Sequence, residues 1–197
     1  GVVFGPNAEV DVPGAFHTST ADELRFADGH VFSARDPGRS TLTMAAPEAF
    51  GFLSPQPASL RIEGSQLQVK PGQRATLSAG DISIAGTGPE QRATLTSEGG
   101  SLRLEAVGDA RKLVPVATSS ESPGTVTGTG AIRLEHAQLE TSGAQSGTID
   151  LHAGRIELAE SRLAADHRGD ADSTGRIRLR AGDLQVTNST VRAGVAG

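Results

Sequence analysis

The chain has 197 residues, a formal net charge of -5, and 36% hydrophobic against 21% charged residues, which is enough apolar material for one domain with a core and argues against disorder. The acidic balance, without a cluster of Lys and Arg, excludes nucleic acid as a partner, and no run approaches the ~20 apolar residues that span a bilayer, so no membrane insertion is expected. There is no Cys and hence no disulfide framework, which suits a cytosolic protein and equally a chain passing unfolded through a narrow pore.

The opening Gly1-Val2-Val3-Phe4 has no initiator Met, basic stretch or apolar leader, and reads as an internal piece of a longer protein. Residues 1–58 carry short apolar pieces, Val2-Val3-Phe4, Val10-x-Val12, Val31-Phe32 and Phe50-Gly-Phe-Leu53, set among Pro, Gly and Asp. All six Phe lie here, and such rings are expected to fill the wide end of a core or seal its cap. Helical signals are nearly absent; residues 21–27 allow one turn at most. Cleaner strands follow at 60–69, 75–77, 80–84, 93–95 and 101–104, with Pro71-Gly72 as a turn between two of them. Residues 117–130 form a polar loop inside the same domain, because the same pattern occurs on both sides.

That pattern is a repeat. The segment from Gly147 to Ala165 returns 28 residues later as Gly175 to Ala193, with Gly147/Gly175, Ile149/Ile177, Leu151/Leu179, Ala153/Ala181 and Ser161/Ser189 identical in type. A shorter form, aliphatic-x-aliphatic-x-x-small-x-aliphatic, starts at Leu60, Ile132, Ile156 and Leu184. Aliphatic and polar residues alternate as on a strand with one buried face, and a repeat of this length means stacked units. The reading is an all-β protein, a parallel β-helix, with equivalent residues stacked at about 4.8 Å. Its core columns are predicted to include Ile132, Leu134, Ile149, Leu151, Ile156, Leu158, Ile177, Leu179, Leu184 and Val186. The same stacking sets Arg133 on Glu157, His136 on Glu160, Asp150 on Arg178 and Arg155 on Asp183, four opposite-charge pairs in register, with only Arg180 over His152 possibly alike.

Candidate chemistry is sparse. Asp166, Asp170 and Asp172 gather carboxylates that could hold Ca²⁺, but the repetitive Gly-Asp calcium pattern is missing and a solvated loop is the favoured reading. His17, His30, His136, His152 and His167 are scattered without ligand spacing and are expected at the surface or in turns. A sugar-binding or sugar-cleaving β-helix is the alternative; it would need paired carboxylates and, normally, aromatic platforms, and there is no Trp or Tyr. No catalytic, metal or cofactor site is assigned.

The opening segment, Gly1, Val2-Val3, Phe4-Gly5, Pro6-Asn7, then Gly14 through Ser19 and Thr20, resembles the amino-terminal secretion (haemagglutination activity) domain of filamentous haemagglutinin-like exoproteins of two-partner secretion systems. There Gly1 would close an Asn-Pro-Asn-Gly motif that runs into an apolar pair, Phe-Gly and a Gly-x-x-x-Ser-Thr stretch. Gly14-Ala-Phe-His stands where the family usually has a small-aliphatic run. Further pieces are also similar: Ala27-Asp-Gly29 leading to Phe32, Phe50-Gly-Phe52-Leu53, and Leu67-x-Val69-x-Pro71-Gly72-Gln73 leading to Gly80-Asp-Ile82. The likeness covers roughly residues 1–110. It implies a right-handed β-helix solenoid with an irregular, Phe-rich amino-terminal part: residues 1–116 in the secretion domain, 117–130 a loop between rungs, and 131–197 further rungs. It also implies a non-catalytic fragment of a secreted or cell-surface adhesin of a Gram-negative-type bacterium. The expected partners are an outer-membrane β-barrel transporter and host-cell or surface receptors, with the fragment itself a monomer.

Overall fold

Alternating aliphatic and polar residues set short strands throughout the computed structural model, which describes residues 1–41, 43–109, 111–116, 128–145, 147–169 and 175–195. The amino-terminal part holds β1 (Val2–Phe4), β2 (Phe16–Ser19), β3 (Glu23–Phe26), β4 (Val31–Ser33) and β5 (Pro47–Phe52). Then come β6 (Leu60–Glu63), β7 (Gln66–Gln68), β8 (Arg74–Ala79), β9 (Ile82–Ala85), β10 (Ala93–Thr96), β11 (Ser101–Ala106) and β12 (Lys112–Pro115). The last part holds β13 (Ala131–Glu135), β14 (Ala137–Glu140), β15 (Thr148–His152), β16 (Arg155–Ala159), β17 (Arg162–Ala164), β18 (Arg176–Arg180), β19 (Asp183–Thr187) and β20 (Thr190–Arg192). A single 3-10 turn, Pro37–Arg39, interrupts them, and there is no α-helix among the described residues. The stretch expected to allow a helical turn contains β3 instead, because Leu24 finds antiparallel partners in Phe50 and Phe32.

Three parallel sheets carry the fold: a first of β1-β6-β9-β13-β16-β19, a second of β7-β10-β14-β17-β20 and a third of β2-β8-β11-β15-β18. From β6 onward the chain visits first, second and third sheet in that order, β12 alone intervening, so each circuit lies on the one before. The expected all-β, parallel stacking is therefore present, and it is consistent with a β-helix. Inward residues form columns: Leu60, Ile82, Ile132, Ile156 and Leu184 in the first sheet, and Leu67, Leu95, Leu139, Leu163 and Val191 in the second. Leu77, Leu104, Leu151 and Leu179 stack likewise in the third. Each buried aliphatic is worth roughly 1.5–3 kcal/mol, which makes the columns the main source of stability.

The interval of 28 residues holds in all three sheets for the last circuit and recurs between Leu67 and Leu95 in the second sheet, but not elsewhere. Ile132 follows Ile82 by 50 residues, because β12 and its flanks are inserted there, and Ile156 follows Ile132 by 24. The columns also end unevenly. Ile156 and Leu158 are 0% and 2% exposed, whereas Leu184 and Val186, stacked on them, are 47% and 50% exposed. The expectation that Leu184 and Val186 lie in the core is thus corrected: their register is right, but no described strand covers them. Ile177 and Leu179 are partly buried for the same reason.

The predicted charge register is present. Arg133 Nε lies 2.9 Å from Glu157, Arg155 Nε 3.1 Å from Asp183 and Arg178 Nη1 3.9 Å from Asp150, while His152 stacks on Arg180. At the corner between first and second sheets, His136, Glu160 and Asn188 share a left-handed backbone with φ of 45°, 48° and 46°, the conformation Gly64 adopts one column end away. The next position is small because it bonds inside the corner: the Ser161 hydroxyl donates to the Ala159 carbonyl at 2.7 Å and accepts the Ala137 N–H at 3.0 Å, and Ser189 repeats this one circuit on, with Thr187 and Ser161.

Candidate functional site: the amino-terminal motif and the side sheet

The residues of the opening motif gather at one end of the stack. Val2, Val3 and Phe4 pair with Leu60, Arg61 and Ile62, and Gly1 is tight there, since a Cβ would sit 2.8 Å from the Ser59 carbonyl oxygen. Gly5, Pro6 and Asn7 make a turn closed by the Ala8 N–H to the Gly5 carbonyl at 2.9 Å, and the Ser65 hydroxyl lies 3.0 Å from the Phe4 carbonyl. Ala8 and Val10 then pack on the core beside Val2, Phe4 and Phe16, with the Phe4 and Phe16 rings edge to face at 6.2 Å. Gly14 meets no neighbour that would exclude a side chain. Ser19 caps the departing backbone by accepting the Ala21 N–H at 3.1 Å, and the Thr20 hydroxyl donates to the Ala58 carbonyl at 2.6 Å. The motif therefore seals the amino end, with Val3, Pro6 and Asn7 left exposed.

Four of the Phe expected in that seal lie elsewhere. Phe50 and Phe52 join Val107, Val114 and Val116 in a second small core, and Phe26 and Phe32 lie on β3 and β4, with Phe32 36% exposed. This core belongs to an antiparallel side sheet of order β12-β5-β3-β4, built from two excursions that both leave after a third-sheet strand. The side sheet covers the outer face of the third sheet: Thr76 and Ser78 point outward by alternation yet are fully buried. Their hydroxyls, with His17 Nδ1 on the neighbouring strand, have no hydrogen-bond partner, the result of laying an apolar sheet on a polar one. Burial, reinforced by the nearby Arg74 charge, lowers the pKa of His17.

Two ionic clasps hold the side sheet. Glu105 on β11 is buried and receives Lys112 Nζ at 2.7 Å and Arg103 Nη2 at 2.9 Å, with His152 Nδ1 3.5 Å away. Burial disfavours its charge, but bonding from His152, the Lys112 charge and bonds from Lys112 and Arg103 outweigh this and hold its carboxyl well below the usual range. Asp22, just before β3, accepts the Leu53 and Ser54 N–H groups, each at 2.7 Å, and the Ser54 hydroxyl at 2.8 Å, with Arg35 Nε at 2.6 Å. Against a desolvation cost, these donors and Arg35 lower the Asp22 pKa.

The remaining candidates resolve differently from the expectation. Asp166 is no solvated loop residue: it is buried, and Arg192 Nε binds it at 2.8 Å from the next circuit; Asp170 and Asp172 lie outside the described residues, as does most of the 117–130 loop. His167 is buried at a bridge joining Gly143 and Val195, not at the surface. His30 is exposed beside Asp28, His136 occupies the corner, and His152 borders Glu105. No group of three or more metal-ligating side chains occurs among the described residues. Sequence reasoning missed the Glu105 clasp; its one signal is the unassigned alternation Lys112-Leu-Val-Pro-Val116, too short to point to a partner.

Stacked parallel strands around continuous aliphatic columns define an all-β scaffold. Its family is the TPS secretion domain, whose model matches residues 1–179, and the chain belongs to that family, the secretion domains of two-partner-secretion exoproteins. Membership implies a secreted exoprotein and an outer-membrane transporter as partner. No curated protein and no solved structure matches the chain. Among the described residues, no helix is long and apolar enough to cross a membrane.

Proposed function

We propose that this chain is the secretion domain, with following rungs, of a large non-catalytic adhesin-like exoprotein, and that it is a right-handed β-helix whose job is to guide transporter-dependent export and to template the stacking of the rungs beyond it. The observation carrying the proposal is the continuous register of the columns: Leu60, Ile82, Ile132, Ile156 and Leu184 stack in parallel, each circuit pairing with the one before it. Circuits that contact mainly their neighbours can form progressively as the chain emerges, each on the strands laid down by the last. The strong right-handed preference of crossovers between parallel strands supports the handedness. Host-cell or surface receptors would then be met by regions carried farther along the solenoid.

The test is export. The chain is fused to a periplasmic export signal and its upstream motif, and expressed with and without the partner outer-membrane transporter. Folded chain should reach the medium only with the transporter; equal release without it would remove the proposal.

A further inference from the structure

The side sheet covers the third sheet only in part, and a cleft lies where that cover stops. Arg74, Ser101 and Thr148 stand one over another on β8, β11 and β15, and Arg103 and Asp150 stack in the next outward column. With Val116, just past β12, these side chains line a cavity of about 80 Å³. Most of the charges here are matched: Arg103 Nη2 reaches Glu105 at 2.9 Å, Lys112 Nζ reaches it at 2.7 Å, and Arg178 Nη1 lies 3.9 Å from Asp150. Arg74 is the exception. It is half-buried, its side chain bonds the Ser101 hydroxyl at 3.4 Å, and no carboxylate lies within ion-pair distance of it among the described residues. The cleft and its rim thus set Arg74, Arg103, Lys112 and Arg178 against Glu105 and Asp150, a local positive balance on a chain of net charge -5. A partly buried cation without a counter-charge is costly, and that cost falls when an anion is bound.

We propose that this cleft binds a tetrahedral oxyanion, a phosphate or sulfate group, as the free ion or as an ester. Arg74 supplies a planar guanidinium fork, the geometry that suits such oxygens. Because Arg74 Nε donates to Ser101, the Ser101 hydroxyl keeps its own hydrogen for a ligand. The Thr148 hydroxyl offers a further donor one strand away, about 4.8 Å along the stack. Arg103, already held by Glu105, contributes its charge from the rim, and Val116 keeps water from one side, so these charges act with less screening. Asp150 opposes an anion; Arg178 offsets its charge in part. The site lies among β8, β11 and β15, inside the stack, and is independent of the export role.

The experiment titrates the full chain with inorganic phosphate and with glucose 6-phosphate, against glucose, at about 0.15 M chloride. Nuclear magnetic resonance follows the Arg74 Nε–Hε signal and the Ser101 and Thr148 amides. These should shift saturably with a Kd below about 1 mM, and glucose should leave them in place. Arg74→Gln should weaken binding about tenfold or more and Thr148→Val about threefold, the scales of a charged and a neutral hydrogen bond. Asp150→Asn should tighten binding, while Arg162→Gln, on β17 of the second sheet, should leave it unchanged. Thr148→Val and Asp150→Asn keep the test open should Arg74→Gln fail to fold. Binding of both probes assigns the ester as a ligand, and binding of phosphate alone assigns the free ion. Absence of saturation at these signals, or a loss in Arg162→Gln as large as in Arg74→Gln, would overturn the proposal.

Discussion

Glu105→Gln isolates the clasp between the stack and its side sheet. The amide keeps the shape of the carboxylate but removes the charge that Lys112 and Arg103 contact at 2.7 and 2.9 Å. A hydrogen bond to a charged group is worth about 1.5–3 kcal/mol against about 0.5–1.5 for a neutral one, so two such bonds lose about 2–3 kcal/mol. Deleting one partner of a fully buried pair costs about 3–5 kcal/mol; the smaller figure applies because the Lys112 and Arg103 side chains keep 20% and 25% exposure and can hydrate. For a chain of this size the melting temperature should fall by about 4–12 °C. Hydrogen exchange should accelerate first at Phe50 and Val114, which the clasp holds, while Ile132 and Ile156 stay protected. A melting temperature within 1 °C of the parent, about the effect of an ordinary surface change, would refute the argument that this charge fastens the side sheet.

Ile156→Asp, in the middle of its column, should unfold the surrounding circuits, whereas Leu184→Asp, half exposed at the end of the same column, should cost under about 1 kcal/mol by urea denaturation. Thr76→Val removes a buried hydroxyl without a partner and should raise stability by about 1 kcal/mol in the same assay. His136→Val should cost about 1–2 kcal/mol through its left-handed backbone while His136→Gly is tolerated, read as melting temperatures. Acid should act in two stages. His17 has a lowered folded pKa, so the unfolded chain binds its proton first, and stability declines as pH falls from 6.5 toward the folded value. Glu105 contributes stability that is full above 4.5 and lost progressively below it; in Glu105→Gln the second decline should flatten while the first remains.

The columns were legible because they repeat. Ile132, Ile156 and Leu184 announce themselves by spacing, and the outward charges check the register independently. The circuit through Ile82 and Leu95 escaped the short motif because residues 87–92 are inserted at its corner, where Thr87 and Gln91 bond each other. The side sheet was illegible for a different reason. Leu113 meets Gly51 and Val114 meets Phe50 across more than sixty residues, and neither strand repeats anything. Its Phe suggest a seal for the stack because composition gives size but not address. Asp166 and His167 are hard to place for the same reason: a polar run ending in Arg168-Gly169 looks like loop until the next circuit brings Arg192 and Val195 over it.

Circuits that form only as the chain emerges, as proposed, require it to cross the outer membrane unfolded and to stack outside. Arg155 and Asp183 face each other on β16 and β19, so Arg155→Cys/Asp183→Cys can close a disulfide between successive circuits. With the upstream motif and the partner transporter present, export of this variant is compared under oxidising and reducing conditions. The account predicts that the reduced form reaches the medium like the parent and that the oxidised, crosslinked form stalls in the periplasm; release of the crosslinked form at the parent rate would contradict it.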